Sequence, residues 1–291
     1  MVSDVRAKRF AHLTRVHPCY GEQAHFTYAR LHLPIAPRCN IQCNYCVRSI
    51  NKCEYRPGVT SGILSVELAV KRVEQAMGTL RNLKVIGIAG PGEPLANEST
   101  FKFLKIARDK FPRPIKCIST NGLLLPEKAK LLADLGVKAV TVTINAIDER
   151  IGSMIYEWVF YKGAFLKGVE GTRVLIKNQL KGVEEASRVG LVTRINFVLI
   201  PGINDKEVVK VAMEAANRGA VMMNIIPLIP LYKFKDLRPP TCEELRKARD
   251  EAEKYIPQFR LCKQCRADSC GVPGLEKMEV CTLRSNEHFH G

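Results

Sequence analysis

No apolar run in this 291-residue sequence approaches the ~20 residues that a membrane-spanning helix needs, although 46% of its residues are hydrophobic. The first thirty residues carry charges throughout and lack the apolar segment that directs secretion. These absences predict a chain without membrane contact and a cytoplasmic location. Low-complexity segments are missing, as is any internal repeat beyond an alternation of strand-like and helix-like segments. Acidic residues are scarce, with 29 Asp and Glu against 45 Lys and Arg, a formal net charge of +16. Such a balance suits nucleic acid, an anionic substrate or an acidic partner. The basic residues are spread along the chain, however, and nowhere interleave with aromatics as in a groove for single-stranded nucleic acid. Nucleic acid is therefore disfavoured, and a solvated basic surface explains the charge as well.

Cysteine is abundant. There are 11, an odd number in a chain without an export signal, which argues for metal ligands and buried bystanders rather than a disulfide framework. Cys39, Cys43 and Cys46 stand together in C-N-I-Q-C-N-Y-C, a C-x3-C-x2-C spacing. Zinc sites more often combine two close cysteine pairs, or cysteine with histidine, and this isolated trio does not fill that pattern. Three local thiolates can instead hold three irons of a 4Fe–4S cluster and leave the fourth open to another ligand.

Short apolar runs alternate with longer amphipathic ones, which predicts β/α units. The expected strands are 31–36, 84–89, 115–119, 139–144, 193–199 and 221–226. The expected helices are 65–80, 98–110, 127–135, 168–187, 206–218 and 241–255. Ser65 is a candidate cap for the first helix, Asn204 or Asp205 for the fifth, and Gly136 and Gly190 are candidate helix stops. Six strands each followed by a helix predict an α/β fold, a parallel sheet curled into a partial barrel over 29–256. An amino-terminal arm (1–28) and a carboxyl-terminal tail (257–291), both bearing cysteine, are too polar to fold alone and should pack on the barrel or be tied by metal.

Such sheets bind ligands beyond the carboxyl ends of their strands. There the sequence places the trio (strand one), G-P-G-E at 90–93 (strand two), Cys117 and Ser119, Thr120 and Asn121 (strand three), Asn145 (strand four) and Leu228 (strand six). Gly90 and Gly92 would permit close backbone approach, and Glu93 could accept from an ammonium group. Glu54 and Arg56 follow the trio, as a carboxylate that could ligate metal or simply pair with its neighbour.

The trio, with aromatic Tyr45 before its last cysteine, resembles the radical S-adenosylmethionine (SAM) superfamily. In that superfamily the open iron chelates the amino and carboxylate groups of SAM. Residues 90–93 resemble its Gly-Gly-Glu element, with Pro91 in place of the second glycine. H-P-C-Y at 17–20, the histidine-bearing segment 24–32, A-P-R-C-N-I-Q-C-N-Y-C, E-Y-R-P-G-V at 54–59, A-G-P-G-E-P-L-A-N at 89–97 and C-K-Q-C-R-A-D-S at 262–269 together resemble the nitrogenase cofactor biosynthesis (NifB) family, in order and over almost the whole chain.

That resemblance implies a partial (β/α)6 TIM-like barrel of the radical SAM type. It also implies an enzyme, of lyase or transferase chemistry, that fuses two 4Fe–4S clusters into an 8Fe core with a central carbide drawn from a SAM methyl group. The implied cofactors are SAM and three 4Fe–4S clusters, one binding SAM and two serving as precursors. Cys39, Cys43 and Cys46 would hold the first cluster. Cys19, His32 and Cys117 would hold one precursor, with His17 and His25 as rival nitrogen ligands, and Cys53, Cys262 and Cys265 the other. Tyr45, Gly90, Gly92, Glu93, Ser119, Thr120, Asn121, Asn145 and Leu228 would line the SAM site, with Glu54 and Arg56 beside the chemistry. The implied partners are a cofactor scaffold or carrier protein, an iron–sulfur cluster donor and a reductant such as ferredoxin. Cys53 stands closer to Glu54 than the family pattern has it, and Cys270 is an addition. Cys242 and Cys281 read as structural. Two rival functions are a radical SAM enzyme modifying RNA and a zinc-binding interaction module built on Cys262, Cys265, Cys270 and Cys281.

Overall fold

The computed structural model describes residues 11–275; Cys281 and the outer ends of the arm and tail lie outside them. In chain order the strands are β1 (Ala29–His32), β2 (Ile41–Cys43), β3 (Ser49–Ile50), β4 (Val59–Thr60), β5 (Leu83–Ile88), β6 (Ile115–Thr120), β7 (Val137–Thr143), β8 (Tyr156–Tyr161), β9 (Ala164–Leu166), β10 (Val192–Leu199), β11 (Met222–Pro227) and β12 (Cys270–Gly271). The main sheet runs β11-β10-β7-β6-β5-β1-β12 and curls into a half-barrel. Its six predicted strands pair in parallel, joined by helices that include Val66–Thr79, Glu98–Lys110, Leu125–Asp134, Gly168–Arg188 and Glu207–Asn217. The tail contributes β12, which pairs antiparallel with β1 and covers an edge that would otherwise offer unpaired backbone groups.

Side chains alternate across a strand, and here the alternation separates two cores. Ile86, Ile118, Val140, Ile195, Phe197 and Ile225 face the helices, where they bury against Val73, Phe103, Leu132, Val183 and Val211. Val85, Cys117, Ala139 and Val192 face the concave side and pack against Leu13 and Tyr20 of the arm. Burying one large apolar side chain yields about 1.5–3 kcal/mol, while ordering each residue costs about 1–2 kcal/mol. Two such anchors do not by themselves offset the cost of ordering residues 11–28.

The structure corrects several expectations. Strand one is short because Pro34 has no N–H to give the ladder; Leu33 before it still donates to the Gly87 carbonyl, and beyond it Ala36 bridges Pro91. Neither Asn204 nor Asp205 caps the helix at Glu207–Asn217. Asn204 Oδ1 accepts from Ile200 N, its Nδ2 donates to the Asn145 and Val198 carbonyls, and Asp205 accepts from Gly202 N. Ser65 does cap its helix, accepting from Leu68 N, and Gly136 and Gly190 end theirs with φ of 82° each. Cys117 lies within β6 rather than at its carboxyl end.

A short helix (Glu149–Ile155) and the β8–β9 hairpin were not expected. The hairpin turns at Lys162–Gly163 with φ of 50° and 83°, both positive as a type I′ turn requires. β8 pairs with β2, setting Cys43 opposite Tyr156. Among the described residues no helix is long and apolar enough to cross a membrane.

Candidate cluster and cofactor site

The loop bearing the trio is fixed at both ends. Upstream, the Ala36 carbonyl accepts from Gly92 N (2.7 Å) and the Arg38 carbonyl from Glu93 N (2.8 Å). A Cβ on Gly92 would lie 2.4 Å from the Arg38 oxygen, so this glycine permits contact with the cysteine loop itself. Asn97 completes the clasp: its Nδ2 donates to the Arg38 and Glu93 carbonyls (2.9 and 2.8 Å) and its Oδ1 accepts from Arg38 N. Within the loop, Gln42 Nε2 donates to the Cys43 and Cys46 carbonyls at 2.9 Å each. β8 roofs it, with Phe160 N donating to Asn40 O, and further downstream Asn44 N donates to the Ile155 carbonyl (2.8 Å) while its own carbonyl accepts from Phe234 N (3.1 Å).

Burial pushes all three thiols up, Cys39 to about 11 with Glu93 as the second cause, and Cys43 further through Cys46 and Cys39; Arg48 opposes the rise at each. These three thiols fit an iron–sulfur cluster. They are soft donors close enough to feel one another, and a coordinating thiol is deprotonated by its metal. Thiolates on separate irons stand apart, whereas ligands of one ion converge. Among the described residues no three His, Cys, Asp or Glu side chains form such a single-ion group.

Around this loop lie the residues expected to meet SAM. Glu93 is 3% exposed, and its carboxylate accepts from Leu95 N (3.0 Å), Thr120 Oγ1 (2.6 Å) and Asn121 N (2.6 Å). Burial raises its pKa to about 7 against those hydrogen bonds, which lower it. Three donors leave room for a fourth on a carboxylate. Gly90 adopts φ 125°, which demands glycine, before a cis peptide to Pro91. Asn121 Nδ2 donates to Asn40 Oδ1 (2.7 Å), and buried Asn145 donates to Tyr45 Oη (2.8 Å). Leu228 sits in an apolar cluster with Ile41 and Tyr156, against which Cys39, Cys43, Tyr45 and Cys262 all pack. Ser119 is half-buried on the concave face, two residues beyond Cys117.

A second group of cysteines lies inside the barrel. Cys19 packs with Tyr20 and Cys117, and burial followed by Cys19 pushes the Cys117 thiol up to about 12. Arg194, from β10, donates to the Cys19 carbonyl (2.5 Å) and lies in the field of Cys19, Cys117 and Cys262. Arg30 Nη2 donates to Cys265 Sγ (2.7 Å). His32 Nδ1 faces the Arg266 carbonyl (3.0 Å) and His25 Nδ1 the Pro18 carbonyl (2.8 Å), which places the lone pair of each neutral ring on Nε2. His17 differs: its Nδ1 accepts from Cys19 N (3.1 Å), so its proton sits on Nε2.

Cys53 is exposed on a separate loop. There Glu54 accepts from Arg56 Nε (2.9 Å) and Asn51 Nδ2 (2.6 Å), and Arg56, 6% exposed, also donates to Val47 O. The tail clamps this loop through the buried Arg266–Asp268 pair (2.8 Å). Arg266 donates to the Glu54 and Asn51 carbonyls, and Asp268 accepts from Ser61 N and Oγ. Cys270 belongs to the helix-side core, and Cys242 is exposed at the start of its helix.

Sequence reasoning missed Asn97, Gln42, Arg30, Arg194 and the Arg266–Asp268 pair as site builders. Arg194 carried a signal, a charge in the middle of an apolar strand, where an unpaired charge is rare.

The Radical SAM superfamily model matches residues 33–215. The FeMo cofactor biosynthesis protein NifB of Methanocaldococcus jannaschii is 53% identical over 92% of this chain and 89% of that protein, and the one from Methanocaldococcus infernus is 50% identical over the same shares. The chain belongs to the NifB family of the radical SAM superfamily. Streptococcus suis SuiB bound to S-adenosylmethionine shares the fold alone, at TM-score 0.60 and 13% identity over 87% of this chain and 54% of that one. In this NifB-family chain the superfamily match spans the trio, residues 90–93 and Cys117. It stops short of Cys19 on one side and of Cys262 and Cys265 on the other.

Proposed function

We propose that this chain is a radical SAM enzyme of nitrogenase cofactor biosynthesis that joins two 4Fe–4S precursors, its substrates, and inserts a SAM-derived carbide to give an 8Fe core. The observation that carries the reading is the gathering of cysteines from arm, strand and tail beside Arg194, behind the loop that holds Cys39, Cys43 and Cys46. That second thiol set offers soft donors for clusters beyond the one that binds SAM.

When bound, the trio's cluster supplies an electron, and SAM supplies both the methyl carbon and the hydrogen-abstracting species. Cys39, Cys43 and Cys46 would hold that cluster. Glu93 would accept the SAM ammonium, a cation that restores its carboxylate form near neutral pH. Asn121 and Asn145, both fixed by hydrogen bonds, would orient the rest of SAM. Cys19 and Cys117 with a histidine, and Cys53, Cys262 and Cys265, would hold the two precursors. Glu54, kept ionised by Arg56 and Asn51, could lend an oxygen ligand as a precursor moves. The role requires an iron–sulfur donor, a reductant and a carrier protein for the product.

Anaerobic reconstitution followed by reaction with SAM labelled at its methyl carbon tests the proposal. The label should enter a protein-bound cluster, with about twelve irons per chain before reaction, four for each of three clusters. SAM cleavage without label in any cluster would overturn it.

A further inference from the structure

Resting on that proposed function, we infer that the buried guanidinium of Arg194 is the fixed counter-charge that holds an anionic iron–sulfur precursor against Cys19 and Cys117, with Cys262 of the second precursor set beside it. Arg194 is 6% exposed and, among the described residues, its Nε has no hydrogen-bond partner. Around it lie Cys19, Tyr20, Cys262 and Cys117, and none of these is a carboxylate. Its plane lies near the rings of Tyr20 and Phe259, at 5.3 and 5.7 Å from their centroids, which fixes its direction. Burying a guanidinium without an anion is unfavourable, so a fold that keeps one there gains when an anion arrives.

The wall around Arg194 has the same character. Asn196 and Asn224 follow on the concave face, with Asn224 Nδ2 donating to Asn196 Oδ1 (2.9 Å) while Asn224 Oδ1, fully buried, has no partner among the described residues. Such a wall suits an ionic guest rather than an apolar one. A thiolate-ligated iron–sulfur cluster carries net negative charge, and nearby cations retain it and raise its reduction potential. Arg194 is thus a positioning residue for substrate.

The test compares R194Q, R194M and R194K with C19A after anaerobic loading with ferrous iron and sulfide, reading iron per chain and reduction potential by electron paramagnetic resonance. The signal of the trio's cluster serves as the folding control. R194Q and R194M should lose about four irons per chain, or retain them at a lower potential, while R194K should keep near wild-type iron. If Arg194 merely anchors the arm through the Cys19 carbonyl, the amide of R194Q can replace that hydrogen bond. Wild-type iron and potential in R194Q would then overturn the inference. Should R194Q fail to fold, R194K decides, because a folded R194K that has lost the iron also overturns it. If C19A loses iron and R194Q does not, only the inference fails; if C19A also keeps all its iron, the proposed function fails with it.

Discussion

Cys39, Cys43 and Cys46 ride on one short loop, whereas Cys19, Cys117 and Cys262 come from the arm, a central strand and the tail. The first group is closed by local hydrogen bonds, those of Gln42 within the loop and of Asn97 and Gly92 at its base. The second exists only when both ends of the chain are docked, through Tyr20 and Leu13 in the barrel and β12 along β1. A loop that closes on itself can be inherited intact across a superfamily. A site assembled from the termini can be added to a barrel without disturbing it, and the superfamily match accordingly ends inside both termini.

The largest expected effect separates the two groups outright. Replacing Cys39, Cys43 or Cys46 by Ala should abolish formation of 5′-deoxyadenosine from SAM; turnover in any of these variants would remove the trio from the chemistry. Cys19→Ala and Cys262→Ala should each cost about four irons per chain and stop formation of an 8Fe product while SAM is still cleaved. Full iron and product in Cys262→Ala would detach the tail from the site.

Glu93, at the base of the trio's loop, responds to pH. Its buried carboxyl titrates at about 7 instead of the ordinary 4.5, so its neutral form is the one the fold tolerates. Its contribution to stability is complete below pH 4.5 and is lost as pH rises through 7, a change of about 3 kcal/mol. Denaturant titrations of the unloaded chain should show that decline in wild type and its absence in Glu93→Gln. Parallel profiles would refute it.

Smaller effects follow at the base of the trio's loop and at the surface. Asn97→Ala strips partners from Arg38 and Glu93 and should destabilise by about 1–3 kcal/mol, read from the denaturation midpoint, with weaker retention of the trio's cluster. A change below about 0.5 kcal/mol is expected for exposed Cys242→Ala, and a large one would give Cys242 an unrecognised partner.

The barrel was legible because apolar runs of strand length and amphipathic runs of helix length follow their periods closely. The trio, residues 90–93 and Asn145 were legible because each ends a strand. The β8–β9 hairpin was not, since its Lys162–Gly163 turn lacks the Asn-Gly or Asp-Gly signal and its aromatic strands show no clean alternation. The depth of Cys117 was misjudged for another reason: spacing locates a residue along a strand only when the end of the strand is known, and β6 runs on to Thr120. Arg194 and Arg30 were invisible as a pair with the cysteines because their contacts join segments far apart in sequence.

Counting iron in the Cys39/Cys43/Cys46→Ala triple variant after anaerobic reconstitution decides whether two separable cluster regions share one barrel. A loss of about four irons per chain is expected, with the remainder held by the interior cysteines. Loss of all iron, or of none, would contradict it.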